Sequence, residues 1–483
     1  GVAASYWLAR LPMALSPDSF PAESIIRINA PILAFSVALA LLCGILFGLV
    51  PALRLSRRDT AHMLPGRQTG VVAAPGKRRW SVLIAAQVAL TLLLMATAAT
   101  AIRSFLGLMR TPLGYDPANV MRLGILPHHA EPAGQSREER TAYFEQIREK
   151  IASVPGVSTV AVASNATPPY TGTASSFVID GTGAAEETQA GVVLVGPEYF
   201  ATLRIPLLQG RIWNSDENNR GDFIAVVNHA FATRYLSSSD PLGRQLRIPD
   251  LISRNLNIVA SAQSTGWRQI IGVVGDARND GLERPVAPAI YVPYTTMMRP
   301  SAQFFVRTQQ DPLTYLQSIR AAVAAAAPGQ TLSISSFNGT LTLNEAIERD
   351  AQYRSQRLFS ILFGVFSAMA LALALVGIFS LVAYSVAQRT TEFGVRLALG
   401  APRTHVLWVA ARTALVSAAA GIVIGLALDS FFGAVLAHWM ENTFAARSLL
   451  AAAALLGLSA VLACIWPARH AITVSPTEAL RYE

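Results

Sequence analysis

The residues of this chain whose types suit chemistry are few and poorly spaced for it. His128 and His129 are adjacent, with Glu131 close by. Neighbours on an extended chain point apart, so the pair lacks metal-ligand spacing and reads as part of a solvated loop. The stretch GVVGDARNDG, residues 272–281, has the outline of a phosphate-binding turn. It lacks the full glycine pattern and a following apolar helix, so a strand running into a turn is expected. No G-x-x-x-x-G-K-[ST] loop occurs in the sequence, and APGKRR at 74–79 lacks the spaced glycines and the hydroxyl that hold nucleotide phosphates and magnesium. No Ser, His and Asp set stands out as a nucleophilic triad. Catalytic, cofactor-binding and metal-ligating residues are therefore not expected, and the chain is not expected to be an enzyme.

One orderly set of charges does occur. In TTEFGVRLALGAPRTH, residues 390–405, Glu392 and Arg396 lie four apart and can pair on a helix. Phe393 and Leu397, with Val395 and Leu399 nearby, give an apolar side, and Gly394 lies between. Gly400, Ala401 and Pro402 end the helix. Two readings stand at this point: an interfacial helix that lets the chain turn back, or a coupling helix whose charged end docks on a partner.

The elements around it are membrane spans. Apolar residues make up 52% of the 483 and charged residues 14%, with mean hydropathy +0.39, too apolar for an ordinary soluble chain. Five uncharged or nearly uncharged stretches are long enough to cross about 30 Å of hydrocarbon: 32–50, 81–102, 358–388, 404–436 and 448–466. Arg412 and Asp429 lie toward the ends of the fourth, where they can reach headgroups. The run at 358–388 extends about 46 Å as helix, more than the bilayer needs.

Orientation follows from basic residues. Segment 51–80 holds seven Lys/Arg against Asp59, and 389–403 holds three Arg against Glu392; both are expected in the cytoplasm, with the tail 467–483. Segment 103–357, with 23 Lys/Arg and 22 Asp/Glu, is expected outside, as are 1–31 and 437–447. The net charge of +9 is thus a topology signal, and nucleic acid is not an expected partner. Cys43 and Cys464 fall within spans, so the outer segment has no disulfide framework.

After the first span the chain reads PALRLSRRDTAHML from Pro51, and after the last PARHAITVSPTEAL from Pro467. The shared Pro-Ala exit and equal length suggest a duplication, with residues 32–50 ending an earlier copy and 81–483 forming one unit. Gly1 begins the sequence without a Met, which suggests a truncated first unit. The outer segment reads as mixed α/β. Strand, helix, strand patterns at 118–165 and 303–337 flank a strand-rich insert at 175–298, suggesting one α/β domain split by an insertion. The first helix, 137–154, is expected to bury Tyr143, Ile147 and Ile151, and the second, 311–327, to be capped by Asp311.

VGPEYFATLRIPLLQGRIW, AVVNHAFATRYLSSSDPLGRQLRI and IIGVVGDARNDGLERPVAPAIYVPY together resemble the periplasmic core domain of MacB-type permeases. QRTTEFGVRLALGAPRTHVL and the ending PARHAITVSPTEALRYE resemble the FtsX-like permease domain. The resemblance covers nearly the whole chain. It implies an integral membrane α-helical protein of the bacterial inner membrane with a large periplasmic α/β domain, acting as an ABC transporter permease of the mechanotransmission kind. Relatives serve macrolide or peptide efflux, lipoprotein release and control of cell-wall hydrolases. It further implies a separate ABC ATPase subunit, a membrane-fusion or periplasmic partner, and a dimer of permease units, intramolecular in duplicated chains. Carried onto this sequence, it makes Glu392, Phe393, Gly394, Arg396 and Gly400 a coupling loop. A membrane-anchored receptor or tether without ATP-driven transport is the alternative.

Overall fold

The computed structural model describes residues 76–125, 136–180, 189–387, 402–437 and 446–473, apart from short breaks at 165, 169, 172, 237–239, 250, 252–257, 261–265, 283, 329, 331 and 333–339, and isolated positions before 42 and at 393, 396 and 399. The chain divides into a unit made of residues 1–107 with 354–483 and a unit of residues 108–353. His128, His129 and Glu131 lie outside the described residues. So does most of the expected 32–50 span, of which Ala34, Phe35, Val37, Ala38 and Leu41 are helical.

Helix α1, Gly76–Arg110, runs eight residues past the expected end of its span, because leaving the hydrocarbon does not end a helix and no proline intervenes before Pro112. The unit of residues 108–353 then builds a 12-stranded mixed sheet. Its elements in chain order are β1 (Val120–Ile125), α2 (Arg137–Ala152), β2 (Val157–Ala163), β3 (Thr173–Ser176), β4 (Val178–Ile179), β5 (Gln189–Val195), α3 (Glu198–Leu203), β6 (Leu207–Gly210), α4 (Ser215–Arg220), β7 (Ile224–Asn228), α5 (His229–Tyr235), β8 (Gln245–Arg247), β9 (Arg268–Val274), β10 (Ala289–Pro293), β11 (Ala302–Thr308), α6 (Leu316–Ala326), β12 (Leu341–Thr342) and α7 (Leu343–Glu348). The strand order is β12-β1-β11-β2-β5-β10-β7-β9-β8-β4, with β3 beside β5 and β6 beside β9. The β5–β10 and β7–β9 pairs are parallel.

Both faces of the sheet are covered, which explains the near-continuous apolar strands. Val160, Val162, Val192, Leu194, Phe304 and Val306 point to one core, shared with Phe144, Ile147 and Ile151 of α2 and Ile319 and Val323 of α6. The alternate residues Ala161, Ala163, Val193, Val195 and Phe305 point to the other, shared with Tyr199, Phe200 and Leu203 of α3. Strand β11 lies between β1 and β2. The rest of the sheet joins β2 through a single ladder pair, Ala163 with Val195, reinforced by the Ser164 N–H to Leu194 O bond (2.9 Å) and the Gly196 N–H to Val162 O bond (2.7 Å).

Helix α2 starts at a capping box, Ser136 with Glu139. Its buried face differs from expectation by one residue. Phe144 enters the core, while Tyr143 is half-buried and donates its hydroxyl to Gln330 Oε1 at 2.6 Å. The buried positions 140, 144, 147 and 151 are spaced four, three and four apart, so the core-facing stripe of the helix passes through 144 instead of 143. Asp311 does cap, but the first turn, Pro312–Tyr315, is a 3-10 helix that only then becomes α6.

The remaining helices are α8 (Ala351–Ala387), α9 (Arg403–Ala437) and α10 (Ala446–Thr473). Helix α10 continues past Pro467, where the expected cytoplasmic tail begins. Proline there removes one ladder bond without ending the helix. Four helices among the described residues are long and apolar enough to cross a membrane: Ser81–Arg110, Gln352–Ala387, Thr404–Phe431 and Leu449–Pro467.

Candidate functional site

In the membrane unit α1 is the most enclosed of the four helices, and α8 the least. Close approach to α1 is made by glycines. A methyl group added at Gly421 of α9 would lie 2.5 Å from the Ala85 carbonyl oxygen and 2.7 Å from Val88 Cβ. One added at Gly425 would lie 2.9 Å from Leu92 Cδ2, and one at Gly377 of α8 would lie 2.9 Å from Gln87 Oε1. Gly421 and Gly425 form a small-xxx-small step, the spacing that lets two membrane helices touch through their backbones. Sequence reasoning passed over this GIVIG signal. The α1–α8 contact is polar as well: Thr91 Oγ1 donates to Ala370 O (3.4 Å) and Ser360 Oγ donates to Ala101 O (2.9 Å). In hydrocarbon such bonds hold helices because water offers no alternative.

Of the expected coupling residues, Glu392, Gly394 and Gly400 lie outside the described residues. Phe393 and Arg396 are helical. Phe393 is only 1% exposed and belongs to an apolar cluster with Ile84, Val88, Val382, Val386, Val406 and Ala410. Of the expected apolar side, Phe393 and Leu399 are described, and they differ. Phe393 turns into the helix bundle, whereas Leu399 is 82% exposed. A large ring gains more by filling a space among α1, α8 and α9 than by lying at a wet interface. Tyr384, Trp408 and Trp466 are exposed at the neighbouring ends of α8, α9 and α10, and Trp466 stacks on Phe379 at 5.8 Å. Such rings mark the headgroup level of a bilayer.

The unit of residues 108–353 carries ionic networks that fix local geometry. Arg307 is buried, and its guanidinium donates to Thr202 O (2.6 Å), Ala118 O (2.8 Å), Asp116 O (2.7 Å) and the Asp116 carboxylate (3.4 Å). Burial lowers its pKa, and Asp116 opposes that shift. Glu145 joins the Tyr294 hydroxyl (2.9 Å) and Arg148 (2.6 Å). Burial raises the pKa of Tyr294, and the adjacent Glu145 charge adds to it. Residues 272–274 end strand β9, as expected, and 275–281 leave it as an irregular loop where a turn was expected. Asp276 accepts from Ala230 N–H at the start of α5 (2.8 Å), and Asn279 donates to the buried Tyr291 hydroxyl (2.9 Å). Among the described residues no three His, Cys, Asp or Glu side chains are placed to hold a metal ion.

Among the described residues, a large α/β domain lies in the chain between the first and second of four membrane-length helices, the layout of a multi-pass membrane protein with a large domain outside the bilayer. Within that class the chain belongs to the MacB and FtsX-like permeases. The MacB-like periplasmic core domain matches residues 88–333, just over half of the chain, and the FtsX-like permease C-terminal domain matches 364–476. It is a multi-pass inner-membrane protein with a periplasmic domain and a permease component of the ABC transporter type. Relatives include the macrolide export ATP-binding/permease protein MacB of Bdellovibrio bacteriovorus, 26% identical over 304 residues, covering 60% of this chain and 44% of the relative. That of Shewanella oneidensis is 26% identical over 305 residues, covering 61% and 44%. The chain thus spans less than half the length of these curated relatives. Among solved structures, the periplasmic region of MacB from Actinobacillus actinomycetemcomitans has 12% identity and TM-score 0.32, covering 49% of this chain and 94% of that one. The extracellular domain of the noncanonic ABC-type transporter YknZ from Gram-positive bacteria has 14% identity and TM-score 0.27, covering 43% and 91%.

Proposed function

We propose that this chain is the permease of a mechanotransmission ABC system, in which a separate cytoplasmic ATPase docks on segment 389–403 and its strokes reach the periplasmic domain through the membrane helices. The observation that carries this reading is Phe393, buried in one apolar cluster with residues of α1, α8 and α9. A force applied at the segment would be delivered to the helix packing, since close-packed side chains shift together. Glu392 and Arg396 would supply the charged docking surface, with Gly394 and Gly400 letting the backbone bend at either side. A membrane-fusion or periplasmic partner would receive the domain's motion, and two permease units would act as a pair.

The test is Glu392→Lys in the membrane-embedded chain. The expected result is normal insertion and a folded periplasmic domain, with loss of ATPase association or of transport-linked ATP hydrolysis through like-charge mismatch. If the segment is only an interfacial turn, the change costs no more than a surface helix pair, about 0.2 to 0.5 kcal/mol. Full function in the Lys variant, or the failure of any ATPase to bind the wild type, would defeat the proposal in favour of a membrane-anchored receptor or tether.

A further inference from the structure

Between the end of α1 and the first strand lies a connection that ought to bend. Pro112 follows Thr111 and cannot continue the helical ladder. Gly114 has φ +76, in the left-handed region that side chains avoid. Proline followed closely by such a glycine is a hinge unless something holds it.

The loop after β9 holds it. Arg278 donates its backbone N–H to Leu113 O (2.9 Å) and its Nε to Pro112 O (3.2 Å), two consecutive carbonyls just beyond the helix end. Its Nη1 turns back to Leu282 O (3.0 Å) and to Arg284 O. One guanidinium therefore ties residue 112 to residues 282 and 284, a match for its rigid fork of donors that an ammonium would not make. Gly114 packs directly on the backbone of the same loop: a Cβ there would strike the Asp276 carbonyl and lie 2.8 Å from Ala277 Cα. Next in the chain, Asp116 N–H donates to Leu203 O (2.9 Å), and Tyr115 is buried beside Ala277 and Leu343 in the core on that face. Burial raises the Tyr115 pKa, and the charge of Asp350, which caps the start of α8, raises it further.

We propose that the loop formed by residues 275–282, with Arg284, is a latch that cancels the hinge at Pro112–Gly114, with Arg278 as its positioning residue. Motion of α1 then arrives at the sheet instead of being absorbed in the connection. The inference rests on the reading that motion crosses between helices and domain, but its test needs no ATPase.

Nitroxide labels at Met109→Cys, on the last turn of α1, and Glu149→Cys, on α2, are both exposed. In full-length chain lacking Cys43 and Cys464 and embedded in lipid nanodiscs, the interlabel distance distribution reads the stiffness of the joint. Wild type is expected to give one narrow distribution. Arg278→Ala is expected to widen it about twofold with an unchanged melting temperature, since local opening of a connection need not reach the global unfolding free energy. Gly114→Val, which forces the backbone off the loop, should widen it likewise. An equally narrow distribution in Arg278→Ala would overturn the latch. Unfolding of the domain in that variant would overturn it too, by making Arg278 a determinant of the fold. Absence of any ATPase partner would remove the proposed function and leave this measurement standing.

Discussion

Replacing Gly421 by alanine tests how closely α1 and α9 approach. The new methyl would sit 2.5 Å from the Ala85 carbonyl oxygen, a backbone atom that cannot rotate aside. Comfortable contact is about 3.5 Å, so the helices must part by about 1 Å, which forfeits much of the dispersion energy along the seam. Overpacking of this kind costs about 1–3 kcal/mol. Against it stands the helix propensity gained on replacing glycine by alanine, up to about 1 kcal/mol. Gly364 of α8 supplies the reference, because nothing lies within 4 Å of its would-be methyl and only the propensity gain applies. Subtracting the two variants removes propensity and leaves packing, so Gly421→Ala should be less stable than Gly364→Ala by about 1–3 kcal/mol. Gly425→Ala should fall between them, because its nearest neighbour, Leu92 Cδ2 at 2.9 Å, ends a side chain that can move. Thermal unfolding of the three variants in one detergent gives the ranking. Equal stabilities for the Gly421 and Gly364 variants, or the reverse order, would refute the close packing of α9 on α1.

Three further outcomes are expected. Leu399→Cys and Glu149→Cys, made singly in a background without Cys43 and Cys464, should label with an impermeant maleimide from opposite sides of the membrane; labelling from one side would overturn the proposed orientation. Two hydrogen bonds from Arg211, 2.6 and 2.7 Å, hold the Glu217 carboxylate down to about 2 from an ordinary 4.5. A depressed carboxylate stabilises the fold above its unfolded pKa, so the advantage of wild type over Glu217→Gln should be full above about pH 4.5 and shrink as pH falls toward 2, and a pH-independent difference would refute it. Removing residues 303–337 takes out β11, which separates β1 from β2, and should leave residues 118–165 unprotected in amide exchange; retained protection would mean the flanking strands fold without it.

What the sequence disclosed was whatever is local. Apolar runs of membrane length and the charge asymmetry of their flanks place α1, α8, α9 and α10 without reference to any other part of the chain. The helix at 137–154 and the strand-rich character of 175–298 are likewise set by apolar patterns along a few residues. The partner of each face is not local. Phe393 and Leu399 look alike in an apolar list, yet one is buried and the other exposed, because only the arrangement of three helices makes a space for the ring. Glycine spacing in GIVIG was visible, but not that Ala85 and Val88 fill the notch. Arg278 gave no signal at all: Pro112 and Leu113 are more than 160 residues away in the chain, and any of the surrounding arginines would read the same.

The sheet ends in stubs. Its terminal strands, β12 and β4, are two residues each. A long free edge presents unpaired N–H and C=O groups on which another chain can add a strand, the usual route by which sheet proteins aggregate. Among the described residues, these two ends of the strand path offer a neighbouring molecule a rung or two of ladder to extend. Lengthening either one would give a neighbouring chain more ladder on which to pair.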